Sequence, residues 1–261
     1  MIDIGVNLTN SRFDKDRAQL IARAKDVGVK GMLVTGTNLH ESQQALLLCQ
    51  QYPNYLACTA GVHPHDADNV ADDYLQQLSV LAKSEQVKAI GECGLDFNRN
   101  FSTPTNQLRV FSQQVQLANE LKLPLFLHQR DAFEPWLEVL RPFIGKIPAM
   151  VAHCFTGDLA QLKQCLDLGM YIGITGWVCD DRRGKNLHDI VKHIPLNRLM
   201  LETDAPYLTP RTIRPKPKSS RNEPCYLPYV VDTLVGAMGH SFEDIIENSY
   251  HNSQTVFNWE H

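Results

Sequence analysis

No run of apolar residues in this 261-residue chain approaches the roughly 18 to 20 needed to cross a bilayer. Its opening stretch, MIDIGVNLTN, lacks both a basic n-region and an apolar h-region. A cytoplasmic protein without membrane attachment is therefore expected. The seven cysteines are odd in number and scattered, with no C-x-x-C, so neither a disulfide framework nor a zinc ribbon is indicated. Neither G-x-G-x-x-G nor a P-loop follows any strand-like segment, which counts modestly against a doubly wound sheet, the runner-up fold. There is no excess of positive charge: the formal net charge is -4, so any grip on phosphate must come from a local patch or a metal. Low-complexity tracts, linkers and heptad seams are missing as well, and a monomer of one domain, residues 1–261, is expected.

What is present is a rhythm. Eight β-like segments begin at Ile2, Gly31, Leu56, Val87, Pro124, Ala149, Tyr171 and Arg198. Between them lie stretches with apolar residues three and four apart, such as Phe13, Leu20, Ile21 and Ala24, or Val110, Phe111, Val115, Leu117, Ala118 and Leu121. Segments such as PLFLH and AMVAH are near-continuous apolar runs, as a parallel sheet covered by helices requires. Eight βα units in this length predict an α/β fold of the (β/α)8 TIM-barrel type. Two further helical patterns between Tyr226 and Trp259, broken near Gly236 and Gly239, are expected to close the outer ring.

Catalytic groups of such barrels converge from strand ends. Here those ends carry His63 and His65 (third strand), Glu92 and Asp96 (fourth), His128 (fifth), His153 (sixth) and Asp204 (eighth). A single buried histidine is usually a core residue. Two histidines, a glutamate and an aspartate on separate strands cost much desolvation unless they share a cation. Imidazole and carboxylate together suit Mg²⁺, Mn²⁺ or Zn²⁺, and a metal-polarised water implies hydrolysis. Arg130, two residues beyond His128 and on the same strand face, is a candidate phosphate grip. An ion pair with Asp131 is the competing use. After the last strand, YLTPRTIRPKPKSSRNEPC holds Arg211, Arg214, Lys216, Lys218 and Arg221 before its first acid, Glu223. Trp177 and Phe155 either stack a base or pack under loops. Cys93 and Cys154 alternate with proposed ligands and should face the helices as small fillers.

The runs DIGVNLT, GVHPH, IGECGLDF, HCFTG, GITGWV and LETDAP, spread over essentially the whole chain, resemble the TatD family of metal-dependent deoxyribonucleases. The resemblance implies Mg²⁺-dependent hydrolysis of phosphodiesters, 3′ to 5′ on single-stranded DNA, with RNA as a second substrate and a role in DNA repair or degradation. Mn²⁺ or Zn²⁺ are the substitutes. It makes Glu92, His128, His153 and Asp204 the metal ligands or catalytic carboxylates, and places His63 and His65 near the site. Many relatives carry H-x-H in the first strand where this chain has Gly5 and Asn7. Glycine offers no ligand and an Asn amide is a weak one, so the count of ions, one or two, stays open, and Asn7 is assigned to substrate contact with His63, His65, Arg130, Arg211 and Arg221. The rival reading is a metal-dependent amide or ester hydrolase, such as an aminoacyl-tRNA deacylase, on the same barrel.

Overall fold

The structure, a computed structural model, describes residues 1–182 and 184–259. Strands and helices alternate: β1 Ile2–Val6, α1 Arg17–Asp26, β2 Gly31–Val34, α2 Leu39–Gln51, β3 Leu56–Ala60, α3 Tyr74–Leu81, β4 Val87–Asp96, α4 Pro104–Leu121, β5 Leu125–Arg130, α5 Phe133–Leu140, β6 Met150–Ala152, α6 Leu159–Asp167, β7 Tyr171–Ile174, α7 Lys185–Val191, β8 Leu199–Leu201, α8 Leu227–Met238 and α9 Phe242–Phe257. The strands form one sheet in chain order. A parallel bridge between Val6 and Ala205 returns the end of the last strand to the first. This is the (β/α)8 barrel that eight apolar segments predict, and β1, β2, β3, β6 and β8 are buried along their whole length.

The chain divides into two compact units, Val34–His153 and Met1–Leu33 with Cys154–His261. In the first, β3 to β6 pair in parallel. Helix α4 buries Val110, Phe111, Val115, Leu117 and Ala118, as its spacing predicts. Thr103 caps its start with its side chain, Pro104 follows in the first turn, and a left-handed Lys122 ends it. Two polar residues also lie on its inner face. Gln107 accepts from the Asp96 N–H at 2.9 Å and donates to the carbonyls of Asp96 and Ser102. Gln114 accepts from the Val62 N–H at 2.7 Å and donates to the Val62 carbonyl at 3.0 Å. Both glutamines are fully buried, and they satisfy peptide groups exactly where strands give way to the histidine- and carboxylate-bearing segments.

In the second unit, Gly239 in the left-handed conformation ends α8, and Ser241 caps α9. Gly236, read from sequence as a second break, sits inside α8, and Phe13 lies in a short 3-10 turn ahead of α1. Asp3 of β1 is fully buried and accepts from the Thr203 N–H at 2.9 Å, the Thr203 hydroxyl and the Gly5 N–H at 3.3 Å. Burial raises its pKa to about 7, aided by the nearby Glu202 charge and opposed by those hydrogen bonds. A carboxyl whose folded pKa lies above its unfolded value of about 3.9 contributes most stability below that value, and the contribution is lost as pH rises to about 7. Asp3→Asn keeps the shape and cannot ionise. The urea midpoint of the native chain should therefore fall relative to that of D3N between about pH 4 and 7; parallel pH profiles would overturn the assignment.

Candidate active site

The unit formed by residues 34–153 gathers four histidines around two carboxylates. Oε1 of Glu92 lies 3.0 Å from His128 Nδ1, 3.4 Å from His63 Nε2 and 3.5 Å from His153 Nε2. Four residues further along β4, Oδ2 of Asp96 lies 2.7 Å from His65 Nε2 and 3.6 Å from His128 Nε2. His63, Glu92 and His128 each offer a ligand atom within 4.8 Å of the others.

Local sequence explains the convergence. The β4–β5 register shifts between Ile90 and Cys93, and the Glu92 N–H bonds to the Gly36 carbonyl at 2.8 Å. Glu92 and Asp96, four apart on one strand, share a face. Beyond β3, His63 caps a 3-10 turn by accepting from the His65 N–H at 3.1 Å, which brings the two imidazoles edge to face at 4.2 Å. His128 reaches in from β5, and His153 follows the last residue of β6.

Burial alone pushes the Glu92 carboxyl up, but the facing His153 and His63 and hydrogen bonds from His128 and His63 hold it well below the usual carboxylate range. Burial lowers His63. His128 rises despite burial, because Asp96 and Glu92 both face it. Asp96 stays ionised through His128, His65 and the Arg99 N–H, which together outweigh its desolvation. Among the described atoms of this cluster, buried His128 Nε2 makes no hydrogen bond, with Asp96 Oδ2 standing off at 3.6 Å. A buried imidazole nitrogen of that kind beside an ionised carboxylate fits a divalent cation, whose charge would also offset two carboxylates packed into one pocket.

The other unit holds Asn7 and Asp204. Asp204 follows β8 in the left-handed conformation; its Oδ1 accepts from Asn7 Nδ2 at 3.0 Å, and its N–H bonds to the Gly5 carbonyl at 2.8 Å. The first strand thus supports Asp204 with the amide of Asn7. Asn222 of the RNEP run donates to the Thr203 carbonyl at 2.9 Å and bonds through its N–H to the Pro206 carbonyl at 3.0 Å. That motif therefore fastens the LETDAP turn.

Two cations of the basic loop have acidic partners that sequence distance conceals. Arg221 makes a two-pronged contact with Asp16 at 2.7 and 2.8 Å and a third with Glu223 at 2.6 Å, above the Phe13 ring. Arg211 pairs with the buried Asp180 at 3.0 Å. Arg130 makes no ion pair among the described residues, and Asp131, its proposed alternative partner, accepts from Asn98 at 2.7 Å. Cys93 is buried as expected. Cys154 is only half-buried, because β6 ends at Ala152 and strand alternation no longer applies there. Phe155 is packed away at 6% exposure, and Trp177 is half-buried. A residue that sequence reasoning passed over is Phe101, 65% exposed with its ring edge-on to His65 at 4.7 Å. Its only signal was an aromatic set among Asn, Ser and Thr directly after the strand that carries Glu92.

Residues 2–258 match the model of the family described as TatD related DNase. The chain is 53% identical over 257 residues to a protein of Pectobacterium carotovorum named 3′-5′ ssDNA/RNA exonuclease TatD, covering 98% of this chain and 99% of that one. Among solved structures it is similar to a TatD family hydrolase from Entamoeba histolytica (TM-score 0.90, 26% identity, 98% and 97% of the two chains). It is also similar to YJJV, a TatD homolog of Escherichia coli k12 (TM-score 0.89, 27% identity, 99% and 98%).

Proposed function

The chain belongs to the TatD related DNase family, and on that premise we propose that it is a metal-dependent nuclease, removing nucleotides from the 3′ end of single-stranded DNA and also of RNA. The observation that carries the reading is the convergence of His63, His128 and His153 on one ionised Glu92 oxygen, with His128 Nε2 buried and unpartnered. The related protein of P. carotovorum, named for this activity, supports the direction and the substrate.

Glu92, His128, His153 and Asp204 form the proposed metal-holding and catalytic set, with Mg²⁺ as the preferred ion and Mn²⁺ or Zn²⁺ as substitutes. When bound, such an ion supplies Lewis-acid stabilisation of phosphoryl charge and acidifies a water. Asp204, whose carboxylate is held by Asn7, would orient the attacking water and take its proton. Asp96 fixes the imidazole of His65 and faces that of His128, so the rings do not rotate away from the carboxylate. Arg130 holds a backbone phosphate with its planar fork. Arg211 and Arg221, each already paired with an acid, act on substrate mainly by shaping their loop, and Arg214, Lys216 and Lys218 remain as its cations. We take the chain to act as a cytoplasmic monomer, with residues 1–261 forming one hydrolase domain; no helix among the described residues is long and apolar enough to cross a membrane.

The test is a single-turnover assay on 5′-labelled single-stranded oligonucleotides with Mg²⁺, Mn²⁺, Zn²⁺ or chelator. A ladder that shortens stepwise, requires metal and vanishes in Asp204→Asn is expected. No cleavage with any metal would overturn the reading in favour of an ester or amide substrate. The same assay carries a second prediction. If three cations contact the backbone, raising salt fourfold from 50 mM should lower kcat/KM roughly 20-fold, from the single-strand slope of about -0.7 per phosphate contact. A flat salt profile would remove the backbone contacts from the mechanism.

A further inference from the structure

Among the exposed large apolar side chains, Leu47 and Val80 lie on helices α2 and α3, and such scattered residues are ordinary. Phe101 differs in where it is held. It belongs to the segment between β4, which carries Glu92 and Asp96, and α4. That segment is tied down at both ends. Asp96 Oδ1 accepts from the Asn98 and Arg99 N–H groups at 3.0 and 2.8 Å. On the far side of Phe101, buried Ser102 donates to the His65 carbonyl at 2.7 Å, accepts from the Asp68 N–H at 3.0 Å, and has its own carbonyl bonded by Gln107 at 2.8 Å. Asp68 then accepts from Thr103 and Asn106. These bonds fix the backbone on both sides of Phe101, so its ring is presented from a defined position. The ring edge rests on His65, itself edge-on to His63, one of the imidazoles around Glu92. The aromatic surface therefore stands two rings from the carboxylate of the proposed metal site. Two residues before it, Arg99 is exposed and makes no ion pair among the described residues.

Exposed aromatics beside a cation are how proteins hold single strands without reading sequence, since every base has a π-face. We infer that Phe101 is a base-stacking residue, receiving one of the two bases that flank the scissile phosphate and so positioning the strand end over the Glu92 cluster. This rests on the nuclease reading above and extends it to the β4–α4 segment. Stacking explains how a site indifferent to base identity still prefers unpaired ends: in a duplex both faces of an internal base are already covered by its neighbours. Phe101 does no chemistry of its own; its effect belongs in substrate binding.

The experiment compares the native chain, Phe101→Ala and Phe101→Trp on three single-stranded oligonucleotides: one complete, one abasic at the 3′-terminal position and one abasic at the penultimate position. On the complete strand F101A should raise KM by about 5- to 150-fold with little change in kcat, and F101W should restore it. On one of the abasic strands the native chain and F101A should behave alike, because the base that stacks is gone. Three outcomes overturn the inference. Equal KM for F101A and native on the complete strand removes Phe101 from binding while the nuclease reading stands. A loss in F101A that persists on both abasic strands, or that falls on kcat and is not rescued by Trp, marks a role in shaping His65 instead. A native chain that cleaves no strand at all overturns the nuclease reading and this inference with it. Circular dichroism of F101A should match the native spectrum, since the ring is mostly in solvent.

Discussion

Glu92→Gln should leave the chain folded and lower kcat/KM for single-stranded oligonucleotide cleavage by about 10³-fold, equivalent to about 4 kcal/mol of barrier. The substitution preserves volume and one acceptor oxygen, so contacts from His63, His128 and His153 can persist in shape. What disappears is the charge. With a neutral amide, His128 keeps only Asp96 as an ionised partner, and the ligand set for a divalent cation loses the carboxylate at its centre. Altering an outer partner of a metal ligand typically costs 10- to 100-fold, and a ligand itself should cost more. Activity should be measured across a metal titration beside a melting curve. Retention of native activity at any metal concentration would remove Glu92 from the proposed centre. A loss of activity accompanied by unfolding would show instead that the buried carboxylate chiefly holds the histidines apart.

The parts of the molecule that sequence revealed were those set by short-range periodicity. All eight strands fall within the apolar segments read from composition and alternation, and α4 buries five of the six positions that its spacing selects, Leu121 at its end being half-buried. Histidines and carboxylates at strand ends were visible for the same reason, since βα units put the ends of parallel strands on one side. The hidden features depend on partners far apart in the chain. Arg221 appeared to be a free cation because Asp16, its two-pronged partner, lies more than two hundred residues earlier. Arg211 looked free until Asp180 met it. Gln107 and Gln114 read as ordinary polar helix positions, yet they are fully buried and close the hydrogen bonding of strand ends. Cys154 escaped the alternation rule because β6 stops two residues before it. Each miss is a long-range pairing or an irregular strand end, which no local pattern encodes.

The glycines of IGECGLDF show how such an irregularity is written into sequence after all, and they carry the largest stability prediction. Gly94 sits at φ +150° between Glu92 and Asp96, paired with His128 of the next strand. A Cβ placed there would run into the His128 carbonyl oxygen, and the backbone conformation itself disfavours any residue with a side chain. Neither obstacle is a flexible group that can swing aside, since the obstructing atom is main chain. Gly94→Ala should therefore cost on the order of 3 to 5 kcal/mol, a large share of the 5 to 15 kcal/mol that ordinarily holds a domain folded. The damage should also reach the site before global unfolding does. Pushing β5 away from β4 moves His128 relative to Glu92 and Asp96, which now meet it at 3.0 and 3.6 Å. G94A should thus show a sharply lowered denaturant midpoint together with weakened metal binding by whatever fraction remains folded. Gly28 is the control: it also has a positive φ, at +84°, but nothing lies within 4 Å of where its Cβ would stand. Gly28→Ala should cost only about 1 kcal/mol of backbone strain and leave activity untouched. Equal stability losses in the two variants would mean that conformation alone, rather than the close approach of β4 and β5, dictates glycine at position 94.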